Sequence, residues 1–176
     1  MRPALPLVLA LSVATLTGCG PRRGVQTLSD EAIQDFPPGS YPPLPLPAES
    51  LRVEATHPTG LVVGITRVAF EPDRIGAQLR IENPGERNLT LNKYGKMHLK
   101  DDLGNAYPLV PPEGNKDLVV LARRRIDTLF IFRGGFAEQA RTLTLVTNDG
   151  PGGESNLTSQ PKLVVGPVSI SRPPPQ

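Results

Sequence analysis

The sequence predicts an all-β protein built from antiparallel strands. In Arg74–Asn83, apolar and polar residues alternate, as expected of a strand with one face on a core and the other in water. The 176 residues include 21 Pro and 17 Gly, which favour turns, and no segment after Leu51 has a convincing helical period. Short strands with frequent turn signals are typical of an antiparallel β-sandwich of immunoglobulin-like type. A small closed barrel of the same strands is the alternative.

From Leu51 onward the apolar period is two, and about nine short strands are predicted. Turn sequences such as Glu71-Pro72-Asp73 separate them. The segment Ile126–Phe132 is apolar on both faces, which predicts a central strand that is covered on each side. The predicted strands are Leu61–Phe70, Arg74–Asn83, Asn88–Leu91, Met97–Lys100, Ala106–Val110, Leu118–Leu121, Ile126–Phe132, Arg141–Thr147 and Leu163–Ile170.

Composition excludes several kinds of protein. The chain has 19 Lys and Arg against 17 Asp and Glu, and this balance argues against a nucleic-acid binder. A single Cys excludes an internal disulfide and a thiolate-cluster metal site. Trp is absent, so the sandwich would lack both the Cys pair and the core Trp of antibody domains and would rest on packing alone. Residues 50–171 fit one domain of ordinary size.

The N-terminus, residues 1–18, has the parts of a bacterial export signal. Arg2 provides a positive charge, an apolar run follows from Ala4 to Thr17, and small residues end it. The run finishes in Leu16-Thr17-Gly18-Cys19, which resembles the lipobox of bacterial lipoproteins. The resemblance implies cleavage between Gly18 and Cys19 and acylation of Cys19. An ordinary signal with a chance Cys, or an uncleaved anchor, is the alternative.

The resemblance also implies a location. Several acyl chains on Cys19 would anchor the protein firmly in a membrane, because each buried methylene contributes ~0.8 kcal/mol. Gly20 follows the Cys, whereas an Asp there retains lipoproteins in the inner membrane of enteric-type bacteria. We therefore expect a lipid-anchored protein of the cell envelope, with the outer membrane facing the periplasm favoured over the inner membrane.

Residues 19–49 are predicted to be a tether. The stretch Pro37–Pro47 contains six prolines in eleven residues, which favours extended polyproline II. At ~3.1 Å per residue, residues 36–47 would reach roughly 35 Å. A spacer is the simpler interpretation, and a ligand for a proline-recognising partner, with Tyr41 and Leu44 as anchors, is the alternative. The last residues, 172–176, are predicted to be a frayed tail.

A second resemblance covers about Val53 to Val146. The segments VGITRVAFEPDRIGAQLRIENPGERNLTL, MHLKDDLGNAYPL, ARRRIDTLFIFRG and ARTLTLV occur in this order. Together they resemble the immunoglobulin-like domains of unknown function found in bacterial lipoproteins, in which a polar DxxGxxY hairpin follows the first strand pair. The resemblance implies a fold and carries no catalytic motif. This chain departs from the pattern where Arg123-Arg124-Arg125 replaces a Gly turn.

Few residues could carry chemistry. His57 and His98 are far apart in sequence and are both expected to be exposed, and no nucleophile, phosphate-loop or zinc-protease motif occurs. Asp101, Asp102 and Asn105 could suggest calcium, but they lack EF-hand spacing, and a hairpin turn requires the same residue types. No catalytic residue, metal or cofactor is therefore predicted.

One candidate for a binding contact remains, the run Arg123, Arg124 and Arg125. Such a run usually just solubilises a strand end. The alternative is a contact for an anionic partner, because guanidinium groups bind carboxylates and phosphates well.

Three functions remain open. The leading one is a membrane-anchored, non-enzymatic binding or scaffolding module that contacts another envelope protein. The second is a structural component of an envelope secretion or pilus assembly, joined by strand addition at a sheet edge. The third is a hydrolase with an unrecognised carboxylate pair.

Overall fold

The computed structural model describes residues 48–151 and 159–171, and these form an all-β, antiparallel fold. Three predicted segments lie wholly or mostly outside this range: the signal peptide 1–18, residues 19–47 of the tether and the tail 172–176. Within these residues, a short 3-10 turn, Lys93–Gly95, accompanies the strands. The ten strands are β1 Glu49–Thr56, β2 Val62–Phe70, β3 Arg74–Asn83, β4 Leu89–Thr90, β5 His98–Asp101, β6 Ala106–Val110, β7 Val119–Val120, β8 Arg124–Arg133, β9 Thr142–Val146 and β10 Val164–Ser169.

Eight strands form one folded sheet in the order β1-β2-β3-β8-β6-β5-β9-β10, and β4 pairs with β7 separately. The sheet divides into two four-stranded halves because only two residue pairs, Leu109↔Phe132 and Val110↔Ile131, join β6 to β8. The two end strands approach each other on the opposite side, where the Ser171 amide donates to the Glu49 carboxylate at 3.0 Å. The predicted antiparallel sandwich is confirmed, and its sheet is nearly closed.

Strand β8 occupies the centre of this sheet. All ten of its residues pair with β3, from Arg124↔Asn83 to Arg133↔Arg74, and its last third also pairs with β6. Phe130, Ile131 and Phe132 are consecutive and buried, whereas Asp127 is exposed. The predicted central strand is confirmed, although both of its faces are covered only near its C-terminal end.

The core fills the space between the two halves. Its largest fully buried side chains include Phe130, Phe132, Leu79, Ile81 and Leu99. Burying each such side chain contributes about 1.5–3 kcal/mol, which is how a sandwich without a disulfide obtains its stability. Strand β1 accounts for the alternation that starts at Leu51, the residue it buries most deeply.

The connecting loops gather at two ends of the sandwich. The proximal end holds Glu49 and Ser171 together with loops 71–73, 102–105 and 134–141, which bond to one another through Gly134–Asp73 and Arg141–Asp102. The distal end holds loops 57–61, 84–88, 91–97, 111–118, 121–123 and the described parts of 147–163. The chain therefore enters and leaves the domain at the proximal end.

In the part of the chain that the structure describes, no helix has the length and apolar character needed to cross a membrane.

Candidate functional site

Unusual backbone conformations concentrate at the distal end. Among the described residues, four non-glycine residues have positive φ: Tyr94 at 56°, Leu118 at 48°, Arg123 at 54° and Asn148 at 46°. All four lie in distal loops, whereas the proximal loops place Gly104 and Gly134 at such positions. Bulky side chains rarely adopt this conformation, and such outliers persist where the surrounding structure enforces them, often at functional sites.

Three buried asparagines enforce these loop conformations. Asn148 donates to the carbonyls of Thr90 and Pro161 and accepts from the Lys93 amide at 2.9 Å. Its side chain thus connects three distal segments that share no regular sheet pairing. Buried polar groups that are fully bonded in this way fix one loop geometry.

The other two asparagines act similarly. Asn92 accepts from the Met97 amide and donates to the Lys116 carbonyl, and Asn83 donates to the carbonyls of Arg87 and Val120. The sequence places Asn83 at the end of a predicted strand and indicates no role for Asn92 or Asn148. The single available signal was an Asn just after a strand, which is also common in ordinary turns.

Tyr94 is the most exposed large hydrophobic residue of the described chain, with 73% of its surface accessible. It stands on the 3-10 turn, and the ammonium of Lys93 lies 4.9 Å from its ring centroid. An exposed aromatic ring on a fixed loop is a typical anchor of protein interfaces, because it buries a large area at little cost in conformational entropy.

Next to this turn lies a cluster of charged side chains, which we call the Asp149 cluster. Asp149 receives Lys100 Nζ at 2.6 Å, Lys162 Nζ at 2.9 Å and His98 Nε2 at 3.0 Å. The hydrogen bonds from Lys100 and Lys162 hold the pKa of the Asp149 carboxyl well below its usual range. The cluster joins β5 to the two ends of the loop between β9 and β10 and keeps a positive excess.

The structure corrects the expectation that His98 is exposed. Only 15% of its side chain is accessible, because it packs beside Asp149. Burial lowers the pKa of His98, and the hydrogen bond to Asp149 opposes that shift without cancelling it. The lowered pKa favours the neutral form of His98. His57, also expected to be exposed, is partly buried in loop 57–61, where its ring bonds to Thr59.

The three predicted contact arginines do not form one surface. Arg123 lies in loop 121–123 and pairs with Glu86. Arg124 and Arg125 are the first two residues of β8 and point to opposite faces of the sheet, since side chains alternate along a strand. Arg124 is exposed and Arg125 is partly buried.

The Asp101–Asn105 segment is a hairpin turn, as predicted. Asp101 accepts hydrogen bonds from the amides of Leu103 and Asn105 and, at 2.7 Å, from the Tyr107 hydroxyl. Burial alone would raise the pKa of Asp101, but the bonds from Asn105 and Tyr107 outweigh it and lower the pKa. Tyr107 also accepts from the Ala137 amide, so this network holds the proximal loops together.

An open groove of about 450 Å³ crosses the outer face of β1, β2 and β3. Gly64 lies on its floor, and Glu54 is the single carboxylate in its lining, between Arg52 and Arg80. A hydrolytic pair needs two converging acids, and this lining supplies one. Within residues 48–151 and 159–171, no group of three or more His, Cys, Asp or Glu side chains is arranged to hold a metal ion.

No family model, no curated protein and no solved structure matches this chain.

Proposed function

We propose that the protein is a lipid-anchored, non-enzymatic binding or scaffolding module of the bacterial envelope, which contacts another envelope protein through its distal end. The observation that carries the proposal is the separation of the two ends. The chain enters at Glu49, and the strained, asparagine-braced loops with exposed Tyr94 lie at the opposite end.

The separation suits a module held by its N-terminus. Strand β3 runs from the proximal to the distal end and covers about 30 Å along its length. An anchor at Cys19, followed by the extended segment that the sequence predicts, would point the proximal end toward the membrane. Tyr94 would then be presented away from it, where a partner could reach it.

The fixed distal loops also favour binding. Loops whose conformation is set before binding lose little conformational entropy when a partner docks, so more of the contact energy appears as affinity. The bonds of Asn83, Asn92 and Asn148 provide this order within the free domain.

The anchor is tested by replacing its acylation site. We expect Cys19→Ala to abolish incorporation of labelled palmitate and to move the protein from the membrane pellet to the soluble fraction, because lipid is the proposed attachment. Asp30→Ala in the predicted tether serves as a control that should stay in the pellet. A Cys19→Ala protein that still sediments with membranes would refute lipid anchoring.

The binding surface is tested by photo-crosslinking in cells. A benzophenone amino acid at Tyr94 should give crosslinked adducts with another envelope protein. The same residue at Leu103, which is 53% exposed in a proximal loop, should give few. Equal yields at the two positions would contradict a distal binding site.

A further inference from the structure

The loops at the two ends of the sandwich carry opposite charge. Among the described residues, the distal loops have six basic side chains against four acidic ones. The basic side chains are Arg87, Lys93, Lys96, Lys116, Arg123 and Lys162. The acidic ones are Glu86, Glu113, Asp117 and Asp149. Glu154 lies outside the described residues, and counting it still leaves the distal end positive.

The proximal loops show the reverse balance. Loops 71–73, 102–105 and 134–141 carry one basic side chain, Arg141, against four acidic ones, Glu71, Asp73, Asp102 and Glu138. The near-zero net charge of the whole chain thus hides two ends of opposite sign.

The two ends act independently in solution. Charges on exposed loops are screened within about 8 Å at physiological ionic strength, whereas β3 alone separates the ends by about 30 Å. A partner at the distal end therefore experiences the positive charge of the distal loops and not the average charge of the molecule.

We infer that the distal end is a docking surface for an acidic protein surface. The inference rests on the function proposed above and names the chemistry of its partner. Three of the four distal acids are in ion pairs, Glu86 with Arg123, Asp117 with Lys93 and Asp149 with its cluster. Each pair neutralises one base as well as one acid, so it is the excess of two basic side chains that gives the described loops a net positive field, and this field raises the association rate of an acidic partner.

The pattern favours a protein over a uniform polyanion. Acidic and basic side chains occur together in loops 84–88 and 111–118 and in the described parts of 147–163, and an exposed aromatic ring lies near them at Tyr94. Protein interfaces combine aromatic anchors with mixed charge, whereas surfaces for nucleic acid show a basic excess without interspersed acids.

The test uses the acylated full chain reconstituted in phosphatidylcholine vesicles. The probe is a fluorescent peptide of about twenty residues composed of Glu and Leu, and its binding is measured by anisotropy. A distal variant carries Arg87→Gln, Lys96→Gln and Lys116→Gln. A control variant with the same change in net charge carries Arg52→Gln, Arg133→Gln and Arg141→Gln, which lie outside the distal loops.

We expect the distal variant to bind the peptide about tenfold more weakly and the control variant to change affinity less than about twofold. Tyr94→Ala should weaken binding by a further threefold or more, and raising the salt concentration should weaken the wild-type complex. Equal weakening by the two triple variants would overturn the inference. If an oligonucleotide or phosphatidylglycerol vesicles of equal total charge bind more tightly than the Glu and Leu peptide, the choice of a protein partner is overturned.

Crosslinking at Tyr94 separates this inference from the proposed function. If the distal variant forms the same adducts in cells as the wild type, the distal binding site is supported, and the inference that its partner is acidic is refuted. If Tyr94 forms no adducts while Leu103 does, the proposed distal site itself fails.

Discussion

At the scale of single residues, Asp149 gathers three titratable side chains at the distal end. One carboxylate receives two lysines and a histidine from separate segments, and its pKa is held well below the usual range by Lys100 and Lys162. A carboxyl whose pKa is lower in the folded state stabilises the fold above its unfolded pKa, and that contribution is lost as the pH falls.

The first prediction concerns Asp149→Asn. At pH 7 we expect the free energy of unfolding to drop by about 1 to 3 kcal/mol, because hydrogen bonds to a charged group are lost. Below the unfolded pKa of about 3.9, the unfolded chain takes up a proton before the folded one, so the difference between wild type and variant should shrink. Urea unfolding at several pH values measures this, with exposed Glu113→Gln as the control. A difference that stays constant down to pH 3 would contradict the assignment.

The second prediction is that the three arginines at 123–125 contribute unequally to binding. Because Arg124 and Arg125 point to opposite faces of β8, the three side chains cannot act as one patch. Replacing Arg123 and Arg124 with Gln should weaken capture of an anionic partner, whereas Arg125→Gln should leave capture unchanged. Stability should change by less than about 0.5 kcal/mol for Arg124→Gln. Equal loss of capture from Arg125→Gln alone would show that the outer sheet face also binds.

At the scale of elements, β8 holds the two halves of the sandwich together. Phe132 pairs with Ile75 of β3 on one side and with Leu109 of β6 on the other, and its side chain is fully buried. The junction between the halves thus depends on a short stretch of one strand.

The third prediction tests this junction. Phe132→Ala should destabilise the domain by about 3–5 kcal/mol, because it removes a fully buried ring and leaves a cavity. That loss is comparable with the total stability of many domains, so the milder Phe132→Leu, expected to cost about 1 to 2 kcal/mol, keeps the measurement possible. Leu103→Ala, at an exposed loop position, is the control. Chemical unfolding that places all three variants within experimental error would rule out this role.

At the scale of the whole molecule, the two ends of the sandwich differ in charge, in backbone conformation and in connection to the rest of the chain. The proximal loops are acidic and adjoin the point where the chain enters, and the distal loops are basic and braced by asparagines. In the proposed function, this arrangement would place the basic distal loops away from the anchored proximal end.

The fourth prediction is that residues 48–171 fold without the rest of the chain. The core is complete within this range, and Glu49 and Ser171 close it through two hydrogen bonds of 3.0 and 3.1 Å. We expect a β-type circular dichroism spectrum, a monomer by light scattering and a melting temperature that a chelator does not change. A helical spectrum, or unfolding on addition of EDTA, would refute this. Glu49→Ala should lower the melting temperature slightly, since one exposed contact is lost.

The sequence by itself determined the class of fold and nine of the ten strands in the described residues, whereas β1 was indicated only by the alternation that starts at Leu51. Alternation in Arg74–Asn83 and the apolar run Ile126–Phe132 are local patterns, and they correctly predicted the core-facing residues of β3 and a central strand. The polar face of β3, expected in water, is only partly exposed, and Glu82 on it is buried. The turn at Asp101–Asn105 was also predictable, because its hydrogen bonds join residues two to six positions apart.

Only the tertiary structure decided the candidate site. The bonds that form it join residues far apart in the chain: Asn148 to Thr90 across 58 positions, and Lys100 to Asp149 across 49. No local pattern marks such pairs. The same holds for charge, since the sequence shows a balanced total while the fold sorts the charges to opposite ends. The physical reason is that periodicity reports which face of a strand is buried, whereas a site depends on which strand ends the topology brings together.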